Sequence, residues 1–386
     1  MRRFLTLLLV CILTLSVVSG CAKEETAAQP DPGQYALNAY APDTVVMTID
    51  GSEVRWNEFA YWLCTTAKTL SNGAGAEGIT DWNAVPDEAT GETYAETLLQ
   101  NVLAAVKQTH VIEARAAGYG LTPGDEGEAY VENAANEALQ SMGIPEGEDR
   151  AEALRGFYLD EDVLRTQAKV SYLYLLLYQE LFGADGEKLT DEQLQDFITQ
   201  NGYVTVRHIL LSTVDEQNMP LADDVKQQKH TLAQRIIERL QAIGDPDARI
   251  AEFDRYAEAY NEDPGVADYP NGYCFRPGQM DAAFEAASAA LQPYEVSPEP
   301  AESAFGYHVI LRLPTTGDDV IDRNADGSAY TLRADAAQAT YTALTQGWIN
   351  AAQVEWAEGF QTIDVQKLFS RPETFWERLD VLHWFH

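Results

Sequence analysis

Two histidines, a turn carboxylate and a pair of bulky apolar residues are the side chains here whose types and spacing can support chemistry. His208 stands in Tyr203–Ser212 (YVTVRHILLS), where Val204, Val206, His208 and Leu210 alternate onto one strand face. His308 shares a face with Ile310 in a second strand pattern, Tyr307–Leu313. Asp263 opens an Asp-Pro-Gly turn, and Met280 and Phe284 lie one helical turn apart. Taken singly, each has an ordinary reading: a satisfied core histidine, a plain turn, a helix core face. His110 lies on the apolar face of its helix and reads as structural. Asp322–Gly327 (DRNADG) fits the first half of a calcium loop, but Arg333 occupies the twelfth position, where a bidentate Glu belongs; the segment reads as an acidic solvated turn. His383 and His386 are two ligands at a chain terminus, a poor metal site. The sequence has no Gly-rich phosphate loop, Gly-x-Ser-x-Gly elbow or Cys/His cluster, so no metal or cofactor is expected.

The elements that must position these residues follow from the hydrophobic period. Residues 42–200 read as mainly helical, after a short strand (Val45–Ile49) and an Asp50-Gly51 hairpin turn. Helices are expected around Trp56–Leu63, over 92–117 and over 160–182. Thr190-Asp191-Glu192-Gln193 fits a capping box, and Gly202 marks a boundary. From 203 the order reads β, α (224–243), α (249–260), β (273–275), α (279–291), β (307–313), with a further short strand near Val296. Residues 315–335 look acidic and turn-like, and 336–360 helical, with Tyr341, Leu344, Trp348 and Trp356. A lone helix cannot bury such aromatics, so the C-terminal segment is expected to pack back onto the first helical domain.

Within 201–315 four motifs occur in order: Val206–Leu211 (VRHILL), Tyr260–Gly265 (YNEDPG), Phe275 with Gly278-Gln279-Met280 and Phe284, and Phe305–Ile310 (FGYHVI). Together they resemble the parvulin family of peptidyl-prolyl cis/trans isomerases. The resemblance implies a small antiparallel or mixed sheet with surrounding helices. It implies that His208 and His308 pair by a hydrogen bond on adjacent strands, that Met280 and Phe284 grip the proline ring, and that Asp263 faces the substrate carbonyl region. Phe275, Tyr273, Gln279 and Ser303 would complete the substrate site. The chain departs from the family at Tyr269–Tyr273 (YPNGY), where Tyr273 stands in place of an apolar rim residue, and Ser303 stands where Thr is common. The flanking helical segments more loosely resemble the chaperone parts of PrsA- and SurA-like secreted foldases. The expected fold is therefore α+β, a parvulin-like domain (201–315) inserted in a mainly α-helical chaperone domain (42–200, completed by 316–386). The expected activity is cis/trans isomerisation of X-Pro bonds in unfolded secreted polypeptides, with a holdase role for the helical domain. The alternative is a chaperone that keeps an inactive parvulin module for peptide binding.

The N-terminal residues say where such a protein would act. Arg2 and Arg3 precede an apolar run, and Val18-Ser19-Gly20-Cys21 resembles a bacterial lipobox. Residues 1–20 read as a signal peptide, Cys21 as the lipidated residue, and 21–41 as a polar tether. The membrane is thus expected as a partner through the lipid anchor alone, on the extracytoplasmic face. The net charge of −35 repels nucleic acid, which is excluded as a partner, and favours weak contact with basic chains. Cys64 and Cys274 fall in different predicted domains, so no disulfide is expected. A homodimer is compatible with the resemblance. The loop after the first parvulin strand carries Asp215, Glu216, Asp223 and Asp224 and no Lys or Arg, whereas phosphate recognition needs cations. A peptide containing phospho-Ser-Pro is therefore expected to isomerise no faster than its unmodified twin, as read by two-dimensional NMR exchange.

Overall fold

The structure is a computed structural model and describes residues 32–75, 78–144 and 150–370. The expected signal peptide, Cys21, most of the tether, and His383 and His386 lie outside the described residues. Among the described residues two compact units emerge: those up to 180 together with 343–370, and those of 181–342.

In the first unit, a short helix α1 (Pro32–Leu37) precedes the hairpin β1 (Val45–Ile49) and β2 (Ser52–Arg55). Asp50 and Gly51 both take positive φ, 49° and 84°, which closes a tight two-residue turn. Helices α2 (Trp56–Gly73), α3 (Tyr94–Gly118), α4 (Gly124–Ser141), α5 (Arg150–Gly156) and α6 (Glu161–Phe182) follow. Trp56, Phe59 and Leu63 of α2 are buried with Leu98, Val102 and Val106 of α3, which are spaced four apart along that helix. His110 is buried on α3, with Nε2 3.0 Å from Glu58 and Nδ1 2.9 Å from Ser52, so it ties α3 to α2 and to the hairpin. Burial opposes its protonation, but the Glu58 carboxylate outweighs this and raises its pKa.

The second unit opens with α7 (Asp191–Asn201). Thr190 and Gln193 form the expected capping box, and Gly202 ends the helix at φ 67°. It continues through β3 (Val204–Ser212), α8 (Asp223–Gln241), α9 (Pro246–Tyr260), a 3-10 turn (Pro264–Ala267), β4 (Tyr273–Phe275), α10 (Ala282–Ala289), β5 (Ala301–Glu302) and β6 (Gly306–Leu313). These strands form one antiparallel sheet in the order β4-β3-β6-β5. Val296 adds an isolated bridge to Leu311. The central strands are covered on both faces. Ile209, Leu211, Val309 and Leu311 pack against Ile236, Ile237 and Leu240 of α8 and Phe253 of α9. Val204, Val206 and Ile310 pack with Phe275, Phe284 and Leu291 on the other face.

Four expectations are corrected. The helix expected at 279–291 is only Ala282–Ala289, because Asp281 caps it by accepting from Ala283 and Phe284 N–H; Met280 precedes the helix. The stretch 315–335 contains a hairpin, β7 (Val320–Arg323) with β8 (Ala329–Thr331), since Asp326 accepts from Ser328 and shapes the turn. The helix expected at 336–360 is α11 (Leu332–Ala351). It gives way to β9 (Val354–Trp356), whose backbone pairs with β1 and whose Trp356 ring meets Phe59 edge-on at 6.1 Å. The helix expected from 249 begins at Pro246, because Asp245 caps Ala248 N–H and proline suits the first helical position.

Phe253 is fully buried between α9 and the sheet. Phe253→Ala is expected to cost about 3–5 kcal/mol. Hydrogen exchange of the Ile209 and Leu211 amides should then accelerate by roughly a hundredfold or more, if they exchange through opening of this unit.

Candidate active site

Strand pairing places the two imidazoles. His208 lies opposite Ile310, and His308 opposite Leu210, so the histidines are diagonal neighbours on one face. Their rings lie 5.1 Å apart and nearly parallel, with Nδ1 to Nδ1 at 3.0 Å. Phe284 of α10 meets both rings edge-on, at 5.1 Å from His208 and 5.0 Å from His308.

Asp263 reaches this pair because β4 covers only Val204–Val206 of β3. Beyond that point the Asn261–Asp263 segment takes over the free backbone. Asn261 Oδ1 accepts from Leu210 N–H at 2.8 Å, Glu262 N–H donates to Leu210 carbonyl at 2.9 Å, and Lys229 holds the Glu262 carboxylate at 2.5 Å. Asp263 Oδ2 then lies 2.9 Å from His208 Nε2 and 2.6 Å from the Tyr273 hydroxyl, while Oδ1 accepts from Gly265 N–H at 3.0 Å. Burial alone would raise the Asp263 pKa, but the donors from His208, Tyr273 and Gly265 outweigh it and hold the carboxyl at about 2. The Tyr273 phenol is pushed up, by burial first and then by Asp263. On the far side, Ser303 Oγ lies 2.7 Å from His308 Nε2.

Donor counting assigns the protons. An ionised Asp263 only accepts, so His208 Nε2 carries a hydrogen. His208 Nδ1 and His308 Nδ1 then share one hydrogen, and His308 Nε2 bonds the Ser303 hydroxyl, which can donate or accept. The chain Ser303–His308–His208–Asp263–Tyr273 closes with every donor matched. Burial, and then the neighbouring His208, press the His308 pKa down to about 4, so its ring is neutral near pH 7.

The remaining expected site residues divide. Met280 is 38% exposed on the turn before α10, whereas Phe284 is buried. Phe275 is also buried, 5.7 Å from Phe284, and so supports Phe284 from below rather than facing outward. Gln279 is held in the turn, its Oε1 accepting from Arg276 N–H at 2.8 Å. Tyr273 is only half-buried, with its ring edge-on to His208 at 5.3 Å. A shallow cleft opens beside His208 and Tyr273, bounded by Phe253, Tyr269 and Pro270; Met280 and Phe284 do not line it. The Tyr273–Asp263 and Ser303–His308 bonds were not legible in sequence, since both depend on tertiary placement. Cys64 and Cys274 are both buried, and no group of three His, Cys, Asp or Glu among the described residues can hold a metal.

This fold and imidazole pair define a parvulin-type isomerase domain. Residues 208–313 match the family model of the PPIC-type PPIASE domain, the rotamase family. A foldase protein PrsA from Halalkalibacterium halodurans is 28% identical over 227 residues, 57% of this chain and 58% of the relative. A chaperone SurA from Chromohalobacter salexigens is 40% identical over 114 residues, 29% of this chain and 22% of the relative. The chain thus spans between about a fifth and somewhat over half the length of these relatives. The crystal structure of a PrsA peptidylprolyl isomerase from Bacillus cereus is 20% identical and matches 76% of this chain and 99% of that one, with a TM-score of 0.29, too low to bear on the fold.

The chain of bonds sets a pH dependence. The folded pKa of His308 lies below the ordinary value near 6.5, so the unfolded state binds the extra proton and stability rises with pH. The contribution is complete above about pH 6.5 and is lost as pH falls toward 4; it is worth on the order of 3 kcal/mol. Melting temperature should fall across that window. Imidazole ¹⁵N spectra at pH 7 should show a neutral His308 ring and a hydrogen on His208 Nε2.

Proposed function

We propose that this chain is a secreted foldase, anchored outside the cytoplasm through lipidated Cys21. Its middle unit turns X–Pro bonds of unfolded polypeptides, while its first unit holds the client. The PPIC-type domain match and the PrsA and SurA relatives support the reading. The lipobox pattern at residues 18–21 supports the anchor. No helix among the described residues is long and apolar enough to cross a membrane, so attachment by this reading rests on the lipid.

Rotation about an X–Pro bond faces a barrier of roughly 20 kcal/mol, set by amide resonance. No covalent bond need break; the site must bind the twisted amide better than the planar one. A strong proton donor at the carbonyl oxygen would reinforce the resonance and oppose rotation. The imidazole floor avoids this, because each ring nitrogen already has an internal partner. Met280 and Phe284 are the proposed ring-gripping pair. His208, His308 and Asp263 form the polar floor, with Asp263 acting through His208 and Tyr273 holding Asp263. The observation that carries the reading is the His208–His308 bond with Phe284 packed against both rings.

An NMR exchange assay on an Ala-Pro peptide tests it. The full chain should accelerate isomerisation, and Phe284→Ala should lower kcat/KM by roughly tenfold or more. Uncatalysed rates alongside full suppression of client aggregation would make the middle unit a peptide-binding module instead.

A further inference from the structure

We infer that Glu285 is a positioning residue for the isomerase site, holding the Met280 turn on the same rigid frame as Phe284. The inference rests on the proposed role of Met280 in gripping proline.

Met280 is 38% exposed, so packing alone does not fix it; its place depends on its backbone. That backbone belongs to a turn, not to the helix, and Gly278 within it takes φ 90°, a conformation that favours glycine. Three successive N–H groups of the turn converge on one carboxylate. Gly278 donates to Glu285 Oε2 at 3.0 Å, while Gln279 and Met280 donate to Oε1 at 2.8 Å and 2.7 Å. Such a concave run of amides is an anion-binding nest, here filled by a side chain of the same protein. The N–H groups of Met280 and then Gly278 hold the Glu285 carboxyl below the usual carboxylate range, as charge-assisted bonds should.

Glu285 sits in the first turn of α10, and that helix is anchored by Phe284 and Ser288, both buried. One short helix therefore sets both proposed gripping groups. Phe284 is placed by direct edge-on packing against the imidazoles, and Met280 by the Glu285 carboxylate. Without that carboxylate the turn keeps only local bonds, from Arg276 N–H to Gln279 Oε1 and from Gln279 N–H to the Arg276 carbonyl.

Reach and charge can be separated by substitution. Glu285→Asp keeps the charge but is one carbon too short for the nest. Glu285→Gln loses the charge, yet its carbonyl can replace Oε1 and keep the Gln279 and Met280 bonds. The expected order of kcat/KM on an Ala-Pro peptide is wild type, then Gln, then Asp and Ala together at roughly a tenfold loss. Met280→Ala should show a similar loss, and adding Glu285→Ala to it should cost nothing further, since the two act through one contact. The ¹⁵N signals of His208 and His308 should be unchanged in all variants, which confirms an intact floor. A Glu285→Asp enzyme as active as wild type, or a further loss in the double variant, overturns the inference. So does an unimpaired Glu285→Ala beside an impaired Met280→Ala, and that outcome leaves the reading of Met280 standing. Full activity in Met280→Ala overturns that reading and this inference with it.

Discussion

The antiparallel pairing of β3 with β6 is the constraint on which the site depends. Eight consecutive residue pairs, from Thr205 with Leu313 to Ser212 with Gly306, leave no freedom in register. Side chains alternate across a strand, so a slip of one residue would send an imidazole to the opposite face. Burial on both faces makes such a slip costly, because Ile209 and Leu211 would exchange places with His208 and Leu210. Gly306 closes the ladder, and a Cβ there would stand 2.3 Å from the Leu211 carbonyl oxygen.

On that scaffold the polar groups form one continuous chain instead of scattered pairs. Buried polar groups are costly when unmatched, and a network is favourable only when every member is satisfied. Here the carboxylate at one end and the serine hydroxyl at the other leave no nitrogen of the two rings between them without a partner. Tyr273 completes the arrangement. A residue that departs from the family pattern at the rim thereby takes a structural task behind it, donating to the same Asp263 oxygen as His208. The floor is thus rigid and internally satisfied, while the proposed grip at Met280 stays exposed to an incoming chain. A rigid floor beneath an open rim suits a reaction that needs shape and polarity rather than a nucleophile.

The first unit is assembled from both ends of the chain. β9 adds to β1 across about 300 residues of sequence, and Phe360 and Val365 join the core of α2 and α3. Closing so long a loop is less costly than its length suggests, because the entropy grows only with the logarithm of the number of residues. The acidic excess of the chain lies over both units and bears on solubility, not on the fold.

Much of this was legible in residue order. The shift from helical to alternating period at 203, the capping box at Thr190, the hairpin at Asp50-Gly51 and the succession of four parvulin motifs are local signals, carried by side-chain period and turn chemistry over a few residues. They were enough to locate the strands bearing His208 and His308. Other features were not local. The end of α11 and the pairing of β9 depend on a partner strand some 300 residues away, whose free backbone satisfies it. The hairpin at 320–331 was hidden because its acidic composition resembles a solvated turn. Tyr273 on Asp263, Ser303 on His308 and Glu285 on the Met280 turn are hydrogen bonds between elements. No period or composition encodes such bonds. They exist only once packing has brought the atoms within about 3 Å, the short range over which hydrogen bonding acts.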